Sequence, residues 1–210
     1  MIATDPSIQL LIQAVEAADS PAKLVGAVHA LAQTRSTEAI PTLICALGFN
    51  NPGAALAAVS GLVTLGEGAI PVLLEQIDGY NYGARAYSLR ALAAIADPRA
   101  LEALIKAAEA DFAPSVRRAA IKGLGQLRWQ QLEPTARESA QSQALKTLLF
   151  VAEDVDWATR YAAIVGLQNW LTSADLVDRA SAIAQLDRIL QTDSDGAVRA
   201  RAALAKQQLS

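Results

Sequence analysis

The chain has 210 residues, 52% of them hydrophobic and 19% charged, enough for one globular unit or a short repeat array with a substantial core, and too apolar for a disordered tail. About a fifth of the residues are alanine and only 5% are aromatic, so the apolar content consists of small helix formers and an all-α protein is expected. A net charge of -3 excludes a general pull toward nucleic acid or anionic membranes, one cysteine excludes an internal disulfide, and the lack of a secretory pattern or an unbroken apolar run of roughly 18 residues leads us to expect a cytoplasmic protein without membrane insertion.

In chain order, helices open at Asp5-Pro6 and Ser20-Pro21, where a capping side chain precedes a proline whose missing N–H is harmless in a first helical turn. The second of these runs through Leu24 to Leu31. AIPTLICAL from Ala39 and a helix opened by Asn51-Pro52 and holding Ala55 to Leu62 come next, then AIPVLLEQI from Ala69 with Arg85 to Leu92. Asp97-Pro98 and ALEALIKAA from Ala100 precede Arg117 to Leu124, and ALKTLLFVA from Ala144 precedes Arg160 to Leu167. Anchor leucines thus recur at Leu31, Leu62, Leu92, Leu124 and Leu167, in steps of 31, 30, 32 and 43 residues, with two helices per period. Each helix has one apolar face, for example Ile40, Leu43, Ile44 and Leu47, which it cannot bury alone. The reading is an α-solenoid of five to six HEAT-like helix pairs forming one repeat domain over residues 1–210. The long last step predicts an insertion at 130–143, and residues 175–210 read as a polar terminal cap.

The periods also align charges. Arg85, Arg117, Arg160 and Arg199 share one register, and Asp111, Asp154 and Asp193 each lie six residues before an arginine, which predicts a ladder holding neighbouring repeats in register. His29, Ser60, Arg90, Lys122 and Val165 share another register, variable and mostly polar, expected to face solvent on the second helix of each pair. With one histidine and one cysteine, neither a Ser-His-Asp triad nor a His/Cys metal cluster can form, so no metal site is expected. Cys45 aligns with Glu75 and Lys106, on the exposed side of a first helix.

The prolines of AIPTL and AIPVL, the Asp-Pro-Arg-Ala-Leu start at Asp97 and SVRRAAIKGLG from Ser115 resemble HEAT-type repeats. The stretch from Tyr80 to Trp129, YNYGARAYSLRALAAIADPRALEALIKAAEADFAPSVRRAAIKGLGQLRW, is similar to the phycobilisome lyase family, and within it to the F-type subunits of heterodimeric E/F phycocyanobilin lyases. That resemblance implies a subunit that, with an E-type partner, joins phycocyanobilin by a thioether to a cysteine of the apo-phycocyanin α chain. The bilin is then a substrate and no cofactor is permanently bound. An isomerising relative carries an adjacent His-Cys pair, which this chain lacks. The alternatives are a scaffold or chaperone for phycobiliprotein assembly that does not touch the pigment, and a lyase for another bilin.

A flat, conjugated body with two propionates calls for arginines beside aromatic faces. Tyr82, Arg85, Tyr87 and Arg90 supply both within three turns, and Arg118 and Tyr161 share a register where core packing would prefer alanine, so these six are the candidate bilin-binding residues. Asp78, Asp111 and Asp156, loop carboxylates near second-helix starts, are the candidate proton donors. Capping and the ladder are their competing roles, and filling space between helices or at the insertion is that of Tyr82, Tyr87, Trp129, Trp157 and Trp170.

Overall fold

A computed structural model describes residues 5–77, 81–174 and 178–209, apart from the side chain of Tyr82. Twelve α-helices form six consecutive pairs among the described residues, each first helix packed on the second that follows it. They are α1 (Pro6–Glu16) with α2 (Pro21–Gln33), α3 (Ile40–Leu47) with α4 (Pro52–Leu65), α5 (Ile70–Ile77) with α6 (Tyr82–Ile95), α7 (Leu101–Ala110) with α8 (Pro114–Leu124), α9 (Pro134–Val151) with α10 (Trp157–Ser173), and α11 (Arg179–Thr192) with α12 (Gly196–Leu209). The pairs divide into two compact units, Met1–Ile95 and Ala96–Ser210. This is the α-solenoid construction expected of HEAT-type repeats.

Local chemistry sets the helix starts. The Asp5 carboxylate accepts the Ser7 N–H at 2.8 Å, the Ser20 hydroxyl the Lys23 N–H at 3.3 Å, and the Asn51 amide oxygen the Ala54 N–H at 3.1 Å, each cap standing just before a proline. Single 3-10 turns at Thr37–Ala39, Gly66–Ala69 and Pro98–Ala100 lead directly into α3, α5 and α7. The turn at Trp129–Gln131 precedes α9, so the stretch 130–143 is mostly the N-terminal part of that 18-residue helix.

All five anchor leucines are completely buried, each contributing about 2 kcal/mol of apolar transfer energy. In α3 the alternation is plain: Ile40, Leu43, Ile44 and Leu47 face inward while Pro41 and Cys45 are exposed. The segment Pro52–Ile77 is long and apolar enough by composition to cross a membrane. It is folded otherwise, because Gly66, at φ +61°, interrupts it after α4, and both α4 and α5 pack on α3 and α6. Second helices also approach one another closely. A Cβ on Gly61 would stand 2.6 Å from that of Ala32, and one on Gly166 would stand 2.8 Å from the Ile121 carbonyl oxygen.

Candidate functional site

In the unit Ala96–Ser210 the loops joining first to second helices carry the charged ladder. Asp111, Asp154 and Asp193 each turn one carboxylate oxygen onto the N–H two residues ahead, those of Ala113, Asp156 and Asp195, at 2.8–2.9 Å. The arginine one pair earlier then reaches across. Arg117 donates to Asp154 at 2.5 Å and to the Ala108 carbonyl at 3.1 Å, and Arg160 makes a two-pronged contact with Asp193 at 2.7 and 2.9 Å. Arg160 also donates to the Asp154 and Val155 carbonyls, and Arg199, in the last pair, bonds the Asp193 carbonyl at 2.5 Å.

Among the described residues the ladder and caps hold five carboxyls below their ordinary range, Asp5 and Asp178 through the hydroxyls and N–H groups of Ser7 and Ser181. Asp193 is lowered chiefly by its hydrogen bond from Arg160, Asp97 by that from Arg99, and Asp156 by the Thr159 hydroxyl and the N–H groups opening α10. Groups with a depressed folded-state pKa stabilise the fold above their unfolded value of about 3.9, and lose that contribution as pH falls through the folded value. Thermal stability is therefore expected to hold through neutral and mildly acidic pH and to drop only below about pH 4, which a series of melting curves in buffers from pH 7 to pH 2.5 checks.

The candidate residues fall in both units. Asp78 and the side chain of Tyr82 lie outside the described residues. Arg85, Tyr87 and Arg90 occupy α6, with Arg90 exposed and the other two half-buried. In the unit Ala96–Ser210, Arg118 of α8 stands 3.7 Å from the Asp156 carboxylate at the start of α10, and Tyr161 follows one turn into α10, half-buried, its hydroxyl without a hydrogen bond to another described residue. The structure thus brings Arg118 and Asp156 together, with Tyr161 close by in sequence on the same helix.

Asp156 does not suit the part of proton donor. Its carboxylate accepts the Ala158 and Thr159 N–H groups at 3.2 and 3.1 Å and the Thr159 hydroxyl at 2.8 Å, so it stays ionised and serves as cap and counter-ion. Trp129 and Trp170 are completely buried, their indole N–H groups bonded to the Ser173 hydroxyl and the Gln141 carbonyl, so they pack helices as expected. Trp157 is half-exposed instead, because it opens α10 at the loop edge, where Phe112 and Val155 are also exposed. His29, Ser60, Arg90 and Lys122 are all exposed, as their shared register predicts, while Val165, its fifth member, is half-buried; Lys122 lies one turn beyond Arg118 on α8 and forms no ion pair with a described residue. Among the described residues no three His, Cys, Asp or Glu side chains are grouped to hold a metal.

Known proteins match this arrangement closely. Residues 70–142 match the HEAT repeats family. The chain is 56% identical to the phycocyanobilin lyase subunit beta of a Nostoc species over 94% of its own length and 98% of that protein's. It is 59% identical to the phycocyanin alpha phycocyanobilin lyase CpcF of a Synechocystis species, over 78% of this chain and 77% of the relative. A solved complex of CpcE and CpcF of phycocyanin lyase from Nostoc contains a chain that is 57% identical and superposes with a TM-score of 0.77, covering 81% of this chain and 99% of that one. A designed armadillo repeat protein, 18% identical with a TM-score of 0.59, shares the fold alone. Identity at this level over nearly the whole of both sequences, on the same stack of helix pairs, makes the chain a member of the phycocyanobilin lyase subunit beta family.

Proposed function

We propose that this chain is the F-type subunit of a heterodimeric phycocyanobilin lyase that acts, with an E-type partner, on the apo-phycocyanin α chain in the cytoplasm. The observation that carries the reading is the 56% identity over nearly the full length of a phycocyanobilin lyase subunit beta, together with the likeness to a chain of the CpcE and CpcF complex. The reaction adds the acceptor thiol across the ethylidene double bond of the bilin. A C–S bond forms, the thiol proton ends on the conjugated system, and no oxidant or reductant is consumed. The nucleophile belongs to the acceptor protein, so a chain whose only thiol is Cys45 lacks nothing for this chemistry. Its task is to hold a flexible tetrapyrrole in one geometry and to supply polarising charge. In this reading arginines bind carboxylate and lactam oxygens and tyrosines offer ring faces, with Arg85, Arg90 and Tyr87 the candidates in one unit and Arg118 and Tyr161 those in the other, and Asp111 a position from which a proton reaches the pigment.

Co-expression of the chain with an E-type partner, apo-phycocyanin α and the enzymes that make phycocyanobilin is expected to yield an α chain that keeps its bilin fluorescence in a denaturing gel. Pigmentation no higher than that obtained without this chain would overturn the reading. Arg90→Ala is expected to lower attachment severalfold while helical circular dichroism is unchanged, since the side chain is exposed; loss of helicity would instead assign Arg90 to the framework.

A further inference from the structure

The second helices, α2, α4, α6, α8, α10 and α12, make up about two-fifths of the chain and hold ten of its 18 lysines and arginines, yet none of its 21 aspartates and glutamates. Helix formation does not require this. Glutamate is as good a helix former as lysine, and the positive end of the helix dipole favours acids in a first turn, where these helices have none. Among the described residues the acids sit in first helices, loops and cap positions, so the second helices of each unit carry no negative charge of their own.

Part of the cationic excess is spent internally: Arg117 and Arg160 on the ladder, Arg201 on Gln168, Lys206 on Asp187. Arg118 and Lys122 are different. Four residues apart, they share one face of α8, Lys122 with no ionic partner among the described residues and Arg118 with only the 3.7 Å approach of Asp156, beyond hydrogen-bond reach. Asp156 is already committed to the three donors that open α10. On α10, packed directly against α8, the same two registers hold Tyr161 and Val165, both half-buried. Two loosely held cations thus edge an uncharged aromatic and aliphatic surface.

We infer that Arg118 and Lys122 bind the propionate carboxylates of the tetrapyrrole, whose planar body lies over Tyr161 and Val165. This rests on the function proposed above and deepens it by naming the group on the substrate that is recognised and adding Lys122 to the site. A dianionic ligand fits two cations whose one neighbouring carboxylate, Asp156, is already held by the donors that open α10, and a planar conjugated body fits the Tyr161 face.

The test uses the purified heterodimer with an E-type partner, titrated with phycocyanobilin and with its dimethyl ester while the visible spectrum is followed. Lys122→Gln is expected to weaken binding of the free acid about tenfold and to leave the ester unchanged. Lys122→Arg is expected to restore free-acid binding, and the free acid alone is expected to lose affinity with rising salt. Equal weakening of acid and ester, or none, overturns the inference while leaving the lyase reading intact. A wild-type heterodimer that takes up neither ligand overturns both.

Discussion

Gly125→Ala is expected to lower the stability of the fold by about 3 kcal/mol, read as an earlier midpoint in urea with an unchanged slope. Gly125 ends α8 with ordinary right-handed dihedrals, φ -75° and ψ -14°, so alanine is not strained by its own backbone. The obstacle is its neighbour. A Cβ there would stand 2.9 Å from the carbonyl carbon of Gly166 in α10 and closer still to its oxygen, and main chain cannot swing aside as a side-chain tip can. The two helices would have to separate, loosening the packing of Leu124, Leu148 and Leu167, all completely buried. Gly26→Ala in α2 is the control. No heavy atom lies within 4 Å of its added methyl, so the gain in helix propensity, up to about 1 kcal/mol, should appear as a higher melting temperature. If both substitutions shift stability the same way, close helix approach is not what glycine serves at position 125.

Arg160→Ala is expected to cost about 3–5 kcal/mol, the range for breaking a buried ion pair from one side. The Arg160 side chain is 14% exposed and that of Asp193 only 6%, so truncation leaves a carboxylate in a site with little access to water. Two loop carbonyls, of Asp154 and Val155, lose a donor as well. The paired change Arg160→Met with Asp193→Leu separates the penalty of an orphaned charge from the worth of the pair. It should recover most of the lost stability, because the buried carboxylate is gone. A loss below about 1 kcal/mol for Arg160→Ala, measured by denaturant unfolding, would place the pair with exposed salt bridges. Lys23 and Asp19, both more than two-thirds exposed, provide that comparison within the same chain.

Much of the architecture could be read from the residues. Period, caps and anchor leucines are local signals, and each has its physical counterpart: Leu31, Leu62, Leu92, Leu124 and Leu167 are buried, and Asp5, Ser20 and Asn51 accept the N–H groups their positions implied. What escaped is non-local. The approach of Gly125 to Gly166 depends on how α8 and α10 pack, which neither glycine advertises alone. The stretch 130–143 was legible as extra length but not as turns added to α9, since its polar residues fit an exposed helix as well as a loop. At the candidate site, registers correctly set Arg90 and Lys122 on an exposed face, and the carboxylates were the weak point. Capping and proton donation ask for the same residue at the same place, and the hydrogen bonds to Asp156 favour the first.

The ladder also has a sense of direction. Arg117 and Arg160 are each satisfied by an aspartate 37 or 33 residues further along the chain, never by one behind. During synthesis, which proceeds from the amino end, a helix pair therefore leaves the ribosome with its guanidinium held only by carbonyls of its own pair, and meets its carboxylate once its successor has emerged. Arg199 likewise bonds the loop of its own pair, through the Asp193 carbonyl, so the own-pair half of the hand-over is repeated there.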